Sequence, residues 1–165
     1  FSARFAGSEP LQIQAFDRLC DALVQHPLTG RVISIHAVRS AGTVLNVLES
    51  HGLLIPNSDS PAIIFHWFSG TSDELVRARN VGCYFSVNER MLATKRGCEY
   101  ARQIPLDRLL LETDAPAEPN TETSVQSLIR SLARTSMRIA SLKNCDAMRI
   151  ESVVLANAHS VFDLR

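Results

Sequence analysis

Three side chains that can bind a metal ion stand at the ends of short apolar runs in the sequence. His36 and His66 each end a five-residue run rich in β-branched residues, and Asp114 directly follows a leucine-rich run at 109–113. Such runs predict β-strands. Imidazole and carboxylate groups together suit Zn²⁺, Mn²⁺ or Mg²⁺. One histidine at a strand end is more often a hydrogen-bonded structural residue, but two in matching positions, with an aspartate at a third, favour a metal site.

Helical segments separate these strands along the chain. Helical spacing of apolar residues, with capping and stop residues, predicts helices at 11–25, 41–51, 71–81, 90–102, 123–140 and 146–162. The apolar runs predict strands at 32–36, 62–66, 83–87 and 109–113, and a cluster of turn residues occupies 56–61. This alternation predicts an α/β protein with parallel strands and right-handed crossovers. A small open doubly wound sheet and half of an eight-stranded barrel both fit this order.

Both architectures place their active sites at the carboxyl ends of the strands. We therefore expect the side chains of His36, His66 and Asp114 to converge at one edge of the sheet. Alternation along the strands adds Glu112 to the same face and leaves bulky apolar residues on the helix-facing side. The other three histidines are interpreted as ordinary surface residues: His26, His51 and His159.

Composition limits the classes of function. The 165 residues are enough for one domain, and 17 basic residues balance 17 acidic ones, which argues against a broad DNA-coating surface. No apolar run reaches the length of about 18 residues that predicts a membrane span. The four cysteines form no Cys-x-x-Cys pair, which predicts reduced core thiols and a cytoplasmic protein rather than a disulfide framework: Cys20, Cys83, Cys98 and Cys145.

Four sequence motifs carry a resemblance to a known family. They resemble motifs of the TatD family of metal-dependent hydrolases and deoxyribonucleases, a branch of the amidohydrolase-type TIM barrels. The most specific of them ends in Glu-Thr-Asp-Ala-Pro, and the His-Trp-Phe-Ser-Gly stretch is next. In chain order they are Ile35–Ser40, Phe65–Gly70, Gly82–Val87 and Ile104–Pro116.

The resemblance implies a partial TIM (β/α)₈ barrel in which the four strands are strands five to eight with their helices. Residues 1–165 would then be the C-terminal half of the barrel, with the N-terminal half absent. Family members also carry a His-x-His motif on strand one and a bridging glutamate after strand four, and neither has a counterpart in this sequence. We therefore expect this chain alone to be inactive.

The resemblance also implies a site and a substrate. It implies that His36, His66 and Asp114 help to hold one or two divalent ions (Mg²⁺, Mn²⁺ or Zn²⁺), and that the substrate is DNA, with single-stranded ends preferred. Asp114 is the candidate catalytic residue that accepts the proton of the attacking water. Arg39 either contacts a phosphate or is simply solvated, and Trp67 either stacks on a terminal base or packs at the barrel mouth.

Two alternative functions stay open from the sequence. One is metal-dependent hydrolysis of carboxylic or aminoacyl esters. The other is a degenerate barrel that acts as a non-catalytic interaction subunit, which the missing ligand motifs would explain. The sequence does not predict the oligomeric state.

Overall fold

The computed structural model of the chain describes residues 7–27, 30–55, 60–116 and 123–162. Within these ranges four parallel strands alternate with α-helices, and a short 3₁₀ turn at Leu106–Arg108 precedes the last strand. The strands are β1 (Val32–His36), β2 (Ala62–His66), β3 (Tyr84–Val87) and β4 (Leu109–Leu111). The helices are α1 (Glu9–Gln25), α2 (Ala41–Ser50), α3 (Ser72–Asn80), α4 (Glu89–Leu92), α5 (Lys95–Gln103), α6 (Val125–Lys143) and α7 (Ala147–Phe162).

The strands follow the sequence prediction closely. Those at 32–36 and 62–66 are confirmed residue for residue, and β3 begins one residue later than predicted. The strand predicted at 109–113 ends at Leu111, although the Glu112 amide still donates to the Val87 carbonyl at 3.1 Å. Asp114 then takes a left-handed conformation (φ 52°), which turns the chain out of the sheet.

One predicted helix is wrong as a single element. The segment at 90–102 forms two helices, α4 and α5, because Thr94 begins a new helix with its own side-chain cap. The Thr94 hydroxyl accepts a hydrogen bond from the Gly97 amide at 2.9 Å. The predicted turn cluster at 56–61 falls largely outside the described residues, since 56–59 are not among them.

The sheet has the order β1-β2-β3-β4, and every neighbouring pair is parallel. In this register His36 lies beside His66, and His66 lies beside Ser86. The carboxyl ends of all four strands therefore meet along one edge, which we call the strand-end edge. The α/β class with a parallel sheet is confirmed, whereas the numbering of these strands as five to eight of a barrel stays a prediction.

The helix-facing side of the sheet carries the main core. Its large side chains are buried together with side chains from the surrounding helices, and each one stabilises the fold by about 1.5–3 kcal/mol relative to leaving it exposed. Residues of this core include Ile35, Ile63, Phe65, Phe85 and Leu109 from the strands, and Leu45, Leu48, Leu75, Tyr100 and Ile139 from the helices. This packing holds the strands, and with them the strand-end edge, in a fixed arrangement.

The opposite face of the sheet is polar near the strand-end edge and apolar further down. There Ile64 and Leu110 are buried against Val161 from the last turn of α7. Asn157 holds that helix in place, because its side-chain amide donates to the carbonyls of Leu106 and Leu109, each at 2.8 Å. Nothing in the sequence pattern predicts that α7 reaches this face.

Two further observations concern the character of the helices and the state of the cysteines. Among the described helices, none has both the length and the apolar character needed to cross a membrane. The cysteines are free thiols, and Cys20, Cys83 and Cys98 are buried in the structure. Burial raises the pKa of Cys20 to about 11 and that of Cys83 to about 12, which leaves both thiols protonated and unreactive at neutral pH.

Candidate functional site

Four ionisable side chains lie in contact at the strand-end edge, and we call them the strand-end cluster: His36, His66, Glu112 and Asp114. The Nδ1 atoms of the two histidines are 3.3 Å apart. The other ring nitrogen of His66, Nε2, lies 3.1 Å from Glu112 Oε2 and 3.7 Å from Asp114 Oδ1. The structure thus brings together the three residues that the sequence singled out and adds a fourth.

The backbone at this edge is strained in three places. Arg39, Trp67 and Asp114 all have positive φ angles, of 55°, 45° and 52°. Each follows within three residues of a strand end, and none is a glycine, so each adopts a conformation that costs free energy. Such residues persist where the surrounding structure fixes them, and they are concentrated at functional sites.

Glu112 is the member of the cluster that the sequence analysis did not propose as a site residue. Its carboxylate accepts hydrogen bonds from the Ser86 hydroxyl and from the Asn88 side-chain amide, the latter at 2.7 Å. Burial raises the pKa of Glu112 to about 7, and the hydrogen bonds from Ser86 and Asn88 oppose that rise. The sequence feature that indicates Glu112 as a site residue is its position two residues before Asp114 in the Glu-Thr-Asp motif, on the same face of the strand.

Glu112 and His66 form a carboxylate–imidazole pair. When Glu112 is ionised it only accepts hydrogen bonds, and in that state the proton of a neutral His66 belongs on Nε2 and the lone pair on Nδ1. That tautomer directs the lone pair of His66 towards His36. Burial and the neighbouring His66 lower the pKa of His36, which favours a neutral ring with a lone pair of its own.

The two histidine nitrogens have the spacing of ligands that share one divalent cation. Two nitrogen ligands about 2.1 Å from one ion lie roughly 3.0–3.4 Å apart at octahedral to tetrahedral angles. The observed Nδ1–Nδ1 distance of 3.3 Å lies in that range. The partners that the structure gives the Glu112 carboxylate within the described residues are Ser86, Asn88 and His66, and none of them has a permanent positive charge.

The two candidate substrate residues lie on the β1–β2 side of the cluster. Trp67 lines a cavity of about 250 Å³ together with His36, Val38 and Ser69. Arg39 is exposed, and with Trp67 it lines a neighbouring cavity of similar size. The structure therefore places both residues beside the cluster.

The loop that carries Trp67 is anchored from below. Phe68 is 3% exposed and packs edge-on against the rings of Phe65 and Tyr100. A Cβ atom at Gly70 would come within 2.6 Å of both the Phe68 ring and the Glu74 carboxylate, so only glycine fits there. The Phe-Ser-Gly part of the motif thus fixes the position of Trp67.

A second group of ionisable side chains lies on the helical surface, and we call it the helix cluster: Asp17, Asp21 and His51. His51 Nε2 is 3.2 Å from Asp21 Oδ1 and 3.5 Å from Asp17 Oδ1. One ligand atom from each residue lies within 4.8 Å of the others, so the group could hold a metal ion. The interpretation of His51 as an ordinary surface residue is wrong, because its side chain is only 13% exposed and joins α1 to the end of α2.

Comparison with known proteins gives consistent matches along the chain. The family model for TatD-related DNase matches residues 6–163. The human deoxyribonuclease TATDN3 is 24% identical over 163 residues, which cover 98% of this chain and 56% of that protein. The 3′-5′ ssDNA/RNA exonuclease TatD of Musicola paradisiaca is 32% identical over 118 residues, which cover 63% of this chain and 42% of that protein.

Solved structures agree on the fold. An uncharacterized amidohydrolase from Saccharomyces cerevisiae superposes with a TM-score of 0.76 at 16% identity, and the match covers 98% of this chain and 63% of that one. At that identity the likeness concerns the fold alone. The chain spans about half the length of the two relatives described above.

Proposed function

The chain belongs to the TatD-related DNase family, and we propose that it forms part of a divalent-metal-dependent hydrolase that cleaves phosphodiester bonds in DNA. The observation that carries this proposal is the strand-end cluster, in which His36, His66, Glu112 and Asp114 meet at the carboxyl ends of parallel strands. Two imidazoles and two carboxylates in contact are a donor set suited to a divalent ion.

Each residue of the cluster has a proposed role. His36 and His66 hold the ion through their neutral ring nitrogens, and Asp114 contributes a carboxylate oxygen. Glu112 accepts the Nε2 proton of His66 and so fixes the orientation and tautomer of that ring. When bound, a divalent cation acidifies a water molecule and neutralises negative charge that develops on a phosphodiester. Asp114, whose carboxylate is about one-third exposed, accepts the proton of the attacking water at Oδ1 or Oδ2.

The substrate residues are proposed on the same geometry. The cavity beside His36 is walled by Trp67, whose indole offers a stacking surface for a terminal base of a single strand, and such stacking contributes about 1–3 kcal/mol per base. Arg39 extends the same side of the edge and supplies a charge for a phosphate. A single-stranded DNA end is therefore the proposed substrate.

The chain supplies part of the proposed enzyme. We propose that its four strands correspond to strands five to eight of a (β/α)₈ barrel and that the remaining metal ligands come from the other half. On this proposal the chain alone is inactive, and one or two ions (Mg²⁺, Mn²⁺ or Zn²⁺) bind only when both halves are present. The free, buried thiols support a proposed cytoplasmic location.

The test is hydrolysis of DNA by the protein that contains this chain, with Mg²⁺ or Mn²⁺ present. Single-stranded DNA, double-stranded DNA and an aminoacyl ester are offered side by side. The proposal predicts metal-dependent cleavage of DNA that is lost in Asp114→Asn. Cleavage of the ester alone would assign a different substrate, and a well-folded protein with no hydrolysis of any of them would favour a non-catalytic interaction subunit.

A further inference from the structure

A cavity of about 320 Å³ lies on the side of the strand-end cluster away from Trp67. It is lined by Glu89 and Arg90 at the start of α4, by Thr113 and Asp114 after β4, and by residues of α6 that include Ser127 and Arg134. Because Trp67 follows β2 while this cavity is formed after β3 and β4, the two features flank the cluster on opposite sides.

The two arginines that line this cavity differ in how closely they pair with carboxylates of the protein. Arg134 forms a two-pronged contact with Glu89, with distances of 2.6 and 2.9 Å, and the Ser131 hydroxyl donates to the same carboxylate at 2.6 Å. Hydrogen bonds from Arg134 lower the pKa of Glu89, so this pair stays ionised and satisfied. Arg134 is therefore occupied within the protein and has little capacity left for a ligand.

Arg90 is in a different situation. Its guanidinium Nη1 is 3.6 Å from Asp114 Oδ2, which is longer than a hydrogen bond. Its side chain is 42% exposed, and Asp114 also faces His66. When Asp114 binds a cation as proposed, its charge is compensated there, and the five N–H donors of Arg90 are free to turn to a ligand in the cavity.

We propose that this cavity is a phosphate-binding subsite in which Arg90 donates hydrogen bonds to a phosphate of the nucleic acid strand. The inference rests on the proposed function and adds a second anchoring point to it. A guanidinium matches the paired oxygens of a phosphate, and the polar residues Thr113 and Ser127 line the same space. A single strand lying across the strand-end edge would place a base at Trp67 and a phosphate at Arg90.

The test measures equilibrium binding of a fluorescent single-stranded oligonucleotide by anisotropy, in the protein that contains this chain. EDTA is present in one series to prevent cleavage, and Ca²⁺ replaces it in a second to supply a divalent charge. Affinity is measured for the unmodified protein and for Arg90→Gln, Arg90→Lys and the matched control Arg149→Gln, which changes an exposed arginine at the start of α7. Binding is repeated from about 50 to about 200 mM salt, because each phosphate contact in a single strand contributes about 0.7 to the slope of log K against log salt.

With Ca²⁺ present, the subsite predicts that Arg90→Gln weakens binding about tenfold and lowers the salt slope by about 0.7. Arg90→Lys should keep the slope and lose part of the affinity, because lysine keeps the positive charge but lacks the paired N–H donors of a guanidinium. Arg149→Gln should change neither. If Arg90→Gln leaves the affinity and the salt slope unaltered while the unmodified protein cleaves DNA, the subsite alone is overturned. Arg90-dependent binding without cleavage would overturn the proposed function and support the subsite, and a protein that binds no DNA would overturn both.

Discussion

The strand-end cluster and the helix cluster both combine histidine with two carboxylates, yet they lie in different surroundings. In the helix cluster the side chains of Asp17 and Asp21 are 51% and 55% exposed, and they project from successive turns of α1. In the strand-end cluster the Glu112 side chain is 11% exposed and lies beside backbone that is held in strained conformations. The helix cluster thus has closely spaced ligand atoms on exposed aspartates, whereas the strand-end cluster includes one largely buried carboxylate.

On the proposed function, this difference means that proximity of ligand atoms alone does not define a metal site. His51 already has its Nδ1 hydrogen-bonded to the Val47 carbonyl at 2.9 Å, and its Nε2 faces two carboxylates. A protonated His51 satisfies both aspartates as an ion pair, so water and a proton compete with any cation there. At the strand ends, by contrast, His66 lies between a second imidazole and two carboxylates, and no lysine or arginine of the described residues pairs with Glu112.

The largest effect is expected from removing one histidine from each cluster. His36→Ala should lower metal-dependent DNA hydrolysis by more than about a hundredfold, because it removes a proposed ligand of the ion. His51→Ala, the matched control, should leave hydrolysis unchanged. Initial rates at saturating metal check both variants, and circular dichroism confirms that each is folded. Equal losses in the two proteins would remove the distinction between the clusters.

A smaller effect is expected from the residue that orients His66. Glu112→Leu removes the acceptor for the Nε2 proton and should weaken metal binding by about 10–100-fold. Glu112→Gln keeps an oxygen that can accept this proton and should weaken binding less. Calorimetric titration of the protein that contains this chain with Mn²⁺ measures the dissociation constants, with the exposed Glu151→Gln as control. If Glu112→Leu and Glu112→Gln weaken Mn²⁺ binding equally, the carboxylate does not act through His66.

The helix cluster should show itself in stability rather than in activity. The hydrogen bond to the Val47 carbonyl, followed by Asp17 and Asp21, raises the pKa of His51 above 6.5. A raised pKa in the folded state stabilises the protein below the unfolded value, and this contribution is lost as the pH rises through the folded value. His51→Ala should therefore lower the free energy of unfolding by about 1 kcal/mol near pH 6 and by less near pH 8.

Urea denaturation at the two pH values measures this difference in unfolding free energy. His26→Ala, which removes an exposed imidazole just after α1, is the control. A destabilisation by His51→Ala that grows as the pH rises would contradict the ion-pair account of the helix cluster.

The two clusters also differ in how far the sequence could predict them. His36 and His66 could be placed together because short runs rich in β-branched residues are recognisable as strands. The ends of parallel strands share an edge. Asp114 could be placed near them for the same reason, although its strand ends earlier than predicted and a left-handed turn positions it. Glu112 shared their face, but its burial and its contacts with Ser86 and Asn88 depend on the register of β3 with β4.

The sequence pattern does not predict the helix cluster. His51 lies 30 residues after Asp21, and the two meet only because α1 packs beside α2. Tertiary packing of this kind leaves no periodic signal, since each of these residues is polar and occupies an exposed-looking position on its own helix. The packing of Val161 of α7 near Ile64 of the sheet is likewise set by tertiary structure, although both residues are apolar and buried.

The central claim is that the strand-end cluster, and not the helix cluster, binds the divalent ion. In the protein that contains this chain, a titration with Mn²⁺ followed by NMR tests this proposal, because the paramagnetic ion broadens the signals of the nuclei nearest to it. If the strand-end cluster binds the ion, the imidazole signals of His36 and His66 broaden at the lowest Mn²⁺ concentrations while those of His51 stay sharp. Broadening of His51 before His36 and His66 would contradict it.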